Sequence, residues 1–319
     1  MEAAEVARRF GLGSAPGLSA GPVARGRQGE VWRLTTSDGV WAVKTSFHPR
    51  REAEVLPATR FQEAAHAAGV PTPAVVRTTE GDVLAEVRGV AVRVFEWVDL
   101  LPPDPLVEPE MVGTVLGALH QVRDAGPSGP PDPWSHTPVG ADRWDDLLAR
   151  LRAGGAPFAG RLAALRDELV ALESWIEPPR TLRTCHRDLW ADNLLPTDDG
   201  LCVIDWEEAG PADPSNELGA VLFEFARTDP GRVRALVAAY EGAGGPGRVE
   251  RPGHFTMLIA QLGHITEVAA EDWLAPNVRS PDRADSAAWV GEVLDEPHTR
   301  RVLRSLLRTA AGPNVPPES

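Results

Sequence analysis

The sequence predicts an α+β molecule, with a small β-rich amino-terminal lobe and a larger, mostly helical carboxy-terminal lobe. Three observations predict it. Before residue 98 the apolar residues come in short runs separated by glycine-containing turns, the mark of strands. The segment DLLPPDPLVEPE is rich in proline and acid and reads as a hinge. Beyond it the apolar residues recur at i, i+3, i+4 and i+7, the mark of amphipathic helices. The lobes are therefore placed at residues 1–98 and 99–319.

Each element follows in order. GLSAGPVA, EVWRLTT and GVWAVKTSF read as three strands, the last two joined by the turn Ser37-Asp38-Gly39. A helix is expected over 52–68, stopped by Gly69 and the prolines Pro71 and Pro73. AVVRTTEG with DVLAEVRG, then AVRVFEWV, complete the strands of the first lobe. After the hinge, Val112, Val115, Leu116 and Leu119 share a helix face, and Trp144, Leu147, Leu148 and Leu151 share another. AGPSGPPDP between them is a loop. Further amphipathic stretches cover 158–176, 216–227, 231–242, 254–273 and 284–309, and LCVIDW is the one strand-like run of the second half.

Composition narrows the function classes. Asp and Glu number 46 against 32 Lys and Arg, a formal charge of −14, which disfavours nucleic acid and anionic membranes as partners. No apolar run reaches the roughly eighteen residues that a membrane helix needs, and MEAAEVARRF lacks the apolar core of a signal peptide. The two cysteines, Cys185 and Cys202, sit in apolar runs and read as reduced, buried thiols. Together these point to a cytoplasmic protein. Its lysine count is one, Lys44.

The chemistry concentrates in TCHRDLWADNLL, residues 184–195. Asp188 and Asn193 lie on a loop, and a hairpin over LLPTDDGLCVID returns Asp205 beside Asn193. Asn193 and Asp205 then offer the hard oxygen donors that Mg²⁺ prefers, while Asp188 is free to receive a hydroxyl proton. That division of labour is the one phosphoryl transfer requires, where catalysis is mostly positioning and charge neutralisation.

HRDLWADN followed by VIDWEEAGPADP resembles the HxDxxxxN and IDxxxxxxxDP signatures of the aminoglycoside phosphotransferase family, and the similarity runs from about residue 20 to 275. The resemblance implies a bilobal protein-kinase-like fold. It makes Asp188 the catalytic base, His186 a member of the catalytic loop, and Asn193 and Asp205 the Mg²⁺ ligands. LGALHQV is similar to the family's LxxLH and gives His120 an orienting role. Glu217 stands where the family usually has Asp, and with Asp213 it is expected to anchor loops.

A nucleotide donor, ATP or GTP, needs a phosphate cradle and a cation. ARGRQGEVWRL supplies Gly26 and Gly29 in a turn between strands, flanked by Arg25 and Arg27, with backbone N–H groups able to approach phosphates. Lys44 lies on a strand, as a phosphate-contacting lysine does in VAIK. Its carboxylate partner is expected from the following helix: Glu63, with Glu52 and Glu54 as alternatives. The resemblance further places adenine against the hinge near Glu96 and Val98, with Trp97 as a wall.

The acceptor is a small molecule. Glu267, Glu271 and Asp272 cluster beside Trp273 in TEVAAEDW, a pattern that would pair with the ammonium groups of a cationic acceptor. Three functions are compatible: an O-phosphotransferase acting on an antibiotic, a metabolic kinase for a sugar, amino alcohol or nucleoside, and a catalytically dead nucleotide-binding scaffold. The intact set Lys44, Asp188, Asn193 and Asp205 argues against the third. IDWEEAG in place of DFG argues against a protein kinase.

Overall fold

The structure is a computed structural model and describes residues 2–26, 29–123, 128–276 and 280–312. In chain order, helix α1 (Ala3–Phe10) is followed by strands β1 (Gly17–Leu18), β2 (Ala24–Arg25), β3 (Gly29–Thr36) and β4 (Gly39–Ser46). Then come α2 (Glu52–Ala67), β5 (Val75–Val76), β6 (Ala85–Val87) and β7 (Val90–Glu96). The helices α3 (Pro109–Leu119), α4 (Ala141–Gly154) and α5 (Ala159–Glu173) precede the short strands β8 (Arg183–Cys185), β9 (Leu194–Thr197), β10 (Gly200–Val203) and β11 (Gly210–Ala212). The chain ends through α6 (Pro214–Ala226), α7 (Pro230–Gly242), α8 (Thr256–Leu274), α9 (Ser280–Asp295) and α10 (Arg300–Ala310).

Two compact units result. One comprises Met1–Asp104, Gln121–Ser128 and Asp188–Gly210; the other comprises Pro105–His120, Gly129–Arg187 and Pro211–Ser319. This differs from a single cut at residue 98. The segment 188–210 joins the sheet unit because Val203 N–H donates to Pro71 O at 2.8 Å, Leu101 N–H to Pro196 O at 2.9 Å, and Trp206 Nε1 to Thr72 Oγ1 at 3.0 Å.

The first unit is an antiparallel sheet of order β1-β3-β4-β7-β5, with β2 on β3 and β6 on β7. Its strands alternate as their sequence demands: Leu34, Val43, Val92 and Val94 are buried on one face and pack with Val6, Phe10 and Leu12 from α1 and the turn after it. Helix α1 is absent from the strand-and-helix pattern above; Val6, Ala7 and Phe10 form its buried stripe, and Gly11 at φ +64° ends it. GLSAGPVA yields two two-residue strands rather than one, since Gly21 and Pro22 interrupt it.

The second unit is helical. Trp144, Leu147, Leu148 and Leu151 of α4 pack on Leu162 and Leu169 of α5, Ala269 and Ala270 of α8, and Val290 and Leu294 of α9. Helices α3 and α7 approach so closely that a Cβ on Gly113 would stand 2.2 Å from Leu236 O, and one on Gly117 2.7 Å from Tyr240 O. The stretch 284–309 is two helices rather than one, broken around Pro297 and restarted by Thr299, whose hydroxyl accepts from Val302 N. β8 and β11 form a small ribbon of their own.

Candidate active site

The site in the first unit is built on two neighbouring strands and one hairpin. Lys44 on β4 stands in register opposite Arg93 on β7. Val43, its chain neighbour, points into the core and is fully buried, so strand alternation turns Lys44 to the other face. The hairpin of β9 and β10 pairs Leu194 with Val203, and Ile204 N–H donates to Asn193 O at 2.9 Å. That register brings Asp205 to Asn193, as the motif spacing requires.

Lys44 Nζ lies 2.9 Å from Asp205 Oδ1 and 2.7 Å from Glu207 Oε1. Glu207 Oε1 also lies 2.7 Å from Arg93 Nη1. Burial works against the Lys44 ammonium, but the charges of Glu207 and Asp205 outweigh it and raise its pKa. Asp205 and Glu207 form a coupled pair. Desolvation, then the hydrogen bond and charge of Glu207, push the Asp205 carboxyl up against the pull of Lys44. Burial resists ionisation of Glu207, but Lys44, the bond from Asp205 and Arg93 hold it well below the usual range. Asp205 itself adopts φ +60°, a left-handed conformation uncommon for a non-glycine residue.

Asp188 is oriented by Asn193, whose Nδ2 donates to Asp188 Oδ2 at 2.7 Å and to Asp188 O at 2.9 Å. Burial and the nearby charge of Glu208 push the Asp188 carboxyl up to about 6, against hydrogen bonds from Asn193 and Trp190. A base with that pKa is matched to work near neutral pH. With its amide nitrogen spent on Asp188, Asn193 presents its Oδ1 elsewhere. Asn193 Oδ1 and the Asp205 carboxylate are hard oxygen donors of the kind Mg²⁺ takes. The donor set fits the ion.

The second unit contributes the run that leads into Asp188. Arg187 adopts φ +67°. Its N–H donates to Glu217 Oε1, and its carbonyl accepts from Gln261 Nε2 at 2.7 Å. Glu217 Oε2 meets His120 Nε2 at 2.6 Å, and His120 Nδ1 meets Tyr240 Oη at 2.8 Å. His120, Cys185 and Glu217 are fully buried with ligand atoms within 4.8 Å, yet both ring nitrogens of His120 are occupied by hydrogen bonds, so the cluster is a brace. Asp213 caps α6 through Ser215 N and accepts from Arg180 N and Thr181 N, each at 3.1 Å. His186, expected in the catalytic loop, is fully buried.

Several expected residues are placed differently. Glu63 does not meet Lys44: both its oxygens are held by Arg77 at 2.7 Å. Glu54 is held by Arg51, and Glu52 accepts from Val83 N. The lysine's carboxylates come from the hairpin side instead. Gly29 is required by sheet pairing, since a Cβ there would fall 1.8 Å from Thr45 O. Gly26 faces open space, and its N–H donates to Gly29 O at 3.0 Å. Arg27 lies outside the described residues, and Arg25 pairs with Glu30. Glu96 ends β7 with its N–H donated to Ala74 O, Trp97 N–H donates to Val40 O, and Val98 follows half-buried.

The acidic cluster of α8 is not an open anionic patch. Glu267 is engaged by Arg143 and His264, and Glu271 by Arg143 and Arg150. Asp272 is exposed, and Trp273 packs edge-on to Phe158 with Arg283 over its ring. Sequence reasoning missed Glu207, Arg93 and Gln261. The first two carried a signal: Asp-x-Glu at a strand end sets two carboxylates close together, and AVRVFE places a charge inside an otherwise buried strand.

The model of the APH phosphotransferase enzyme family matches residues 19–252. The chain belongs to this family. Viomycin phosphotransferase of Streptomyces vinaceus is 31% identical over 154 residues, which cover 43% of this chain and 50% of that protein. The chain thus spans about half the length of the curated relative it matches. Among solved structures, a spectinomycin phosphotransferase in complex with ADP and spectinomycin is similar with a TM-score of 0.70 at 14% identity, covering 97% of this chain and 98% of that one. An aminoglycoside phosphotransferase from Alicyclobacillus acidocaldarius gives 0.63 at 18%, covering 96% and 95%. At these identities the likeness shows the fold, and the protein-kinase-like α+β class read from the APH motifs is the fold observed. No helix among the described residues is long and apolar enough to cross a membrane.

Proposed function

We propose that this APH-family chain is a small-molecule O-phosphotransferase, moving the γ-phosphoryl group of ATP or GTP to a hydroxyl of an antibiotic-type acceptor. The observation that carries the reading is the convergence of Lys44, Asp205, Asn193 and Asp188 within one compact unit. Lys44 contacts the donor's phosphates. Asn193 and Asp205 hold Mg²⁺. That ion, when bound, neutralises the charge of the phosphates. Asp188 orients the acceptor hydroxyl and takes its proton as the acceptor oxygen bonds to the γ-phosphorus and the bond to the β–γ bridging oxygen breaks, releasing the nucleoside diphosphate. The Val98 peptide and Trp97 receive the base. A donor of this kind and two buried free thiols fit the cytoplasm.

Pairing of Glu267 and Glu271 with arginines supports a second reading, a kinase for a metabolite carrying no more than one positive charge, such as a sugar or an amino alcohol. One assay separates the two. Nucleoside diphosphate release is followed with Mg²⁺ and either ATP or GTP, against aminoglycosides, basic peptide antibiotics, spectinomycin-like aminocyclitols, macrolides, sugars and amino alcohols. Release dependent on an antibiotic supports the first reading, and release confined to metabolites the second. Tight nucleotide binding with no acceptor-dependent release from any class counts against both.

A further inference from the structure

With no α2 carboxylate at Lys44, Asp205 and Glu207 hold the ammonium between them, and the structure shows what places Glu207. Lys44 and Arg93 are cross-strand neighbours of like charge, an arrangement that is unfavourable on its own. A single oxygen, Glu207 Oε1, lies 2.7 Å from both cations and bridges them. Arg93 is only 7% exposed, and its planar fork is divided between two partners. Nη1 donates to Glu207, and Nη2 donates at 3.0 Å to Oγ1 of Thr59, a fully buried residue of α2. The Thr59 hydroxyl spends its own proton on Val55 O at 2.8 Å, so it faces Arg93 as an acceptor. Phe95 lies against the guanidinium at 4.9 Å from its ring centroid.

A buried guanidinium costs several kcal/mol in desolvation, and a packed apolar side chain is often the more stabilising choice at such a place. Arg93 is therefore a poor device for stability and a good one for geometry: the rigid fork fixes where Glu207 Oε1 sits. The turn that carries Glu207 is fixed as well, because Trp206 donates to Thr72 and packs edge-on to Phe61 at 5.5 Å.

We infer that Arg93 is a positioning residue for the phosphate-contacting lysine. It acts through Glu207, which fills the place a helix glutamate was expected to fill and gives Lys44 a second carboxylate partner beside Asp205. Position then passes from α2 through Thr59, Arg93 and Glu207 to the ammonium. The inference rests on the phosphotransferase reading only for what the ammonium meets; the relay is tested without turnover.

The test uses the chain's single lysine. Protein labelled with [¹⁵N]lysine has one Nζ to report, and an ammonium held by carboxylates exchanges its protons slowly enough to be seen at low temperature. The Nζ signal and ADP affinity are measured in the parent, Arg93→Met, Glu207→Gln and the Arg93→Met/Glu207→Gln double variant, and ADP affinity alone in Arg93→Lys, which carries a second Nζ. Expected are loss of the slow-exchanging signal in Arg93→Met, although Arg93 does not touch Lys44, and an ADP affinity about tenfold lower, the size of one charge-assisted hydrogen bond. Arg93→Lys restores part of the affinity, and the double variant is no worse than Glu207→Gln alone. An unchanged signal and affinity in folded Arg93→Met, or losses that add in the double variant, overturn the inference. If Arg93→Met does not fold, Glu207→Gln decides: a lost signal supports the relay, and a retained one means that Asp205 alone holds Lys44. Failure of every acceptor in the turnover assay leaves these measurements untouched.

Discussion

Asn193 holds Asp188 in place, and the base role proposed for Asp188 can be tested by one substitution. Asp188→Asn keeps the shape of the side chain and removes the base. Turnover should fall by about three orders of magnitude, within the range for loss of general base catalysis, while the dissociation constant for ADP changes less than about threefold. Stopped-assay turnover and calorimetric ADP binding check it, and unimpaired turnover would remove Asp188 from the mechanism. His298 offers a pH prediction away from the site. It is buried, and burial pulls its pKa down to about 4, with Glu168 pulling weakly the other way. In the unfolded chain a histidine takes its proton near 6.5, so between about 6.5 and 4 the unfolded state binds the extra proton. The stability owed to a neutral His298 is complete above that window and lost as pH falls through it. Urea midpoints of His298→Leu should therefore fall less steeply from pH 7 to 4.5 than those of the parent, and parallel slopes would refute the assignment.

Helices α3 and α7 owe their closeness to glycine. Gly113→Ala puts a Cβ against Leu236 O that the two backbones cannot absorb without moving, and overpacking of this kind costs about 1–3 kcal/mol. Thermal unfolding should register it as a drop of several degrees, and an unchanged midpoint would mean the helices have room to part. Helices α4 and α8 make the opposite test. If Glu271 is an arginine partner and not an acceptor ligand, Glu271→Gln leaves the acceptor's KM within about threefold and lowers stability by at most about 1 kcal/mol, as an exposed pair should. A tenfold rise in that KM would return the residue to the acceptor site. Several long elements with a clear period could be read in advance: β3, β4, α2 and α8 lie close to where apolar spacing puts them, although the eight-residue α1 was missed. Short ones could not, since three residues in β8 and β11 carry no period to detect. The break at Pro297 was passed over although a proline inside a helical pattern is itself a stop signal.

For the chain taken together, the fold and the catalytic loop were readable for one reason: each rests on residues near one another in sequence. Asp188, Asn193 and Asp205 lie on a loop and the hairpin after it, so spacing alone brings them together. The partner of Lys44 was misread because the answer lies more than half the chain away, across a sheet register that no local pattern encodes. Gln261 could not be foreseen as a holder of Arg187 either, since the two lie 74 residues apart. If the site assembles as described, Mg²⁺ and nucleotide stabilise the folded chain by mass action, by about 2.7 kcal/mol at a hundred times the dissociation constant. Thermal shift with ATP and with GTP, each with and without Mg²⁺, should show a metal-dependent increment that Asp205→Asn abolishes. An increment surviving in that variant would put the metal elsewhere.

A chain with one lysine has one ε-amine, and it stands on the strand where the proposed function puts the donor's phosphates. Amine chemistry that is harmless to most enzymes is thus an active-site reagent here: coupling to an activated surface through side chains would anchor every molecule by its own working group. The same fact can be used to advantage. Apart from the chain's α-amine, moles of acyl label taken up without nucleotide, less those taken up in its presence, would count competent sites in a preparation, with no need to know the acceptor.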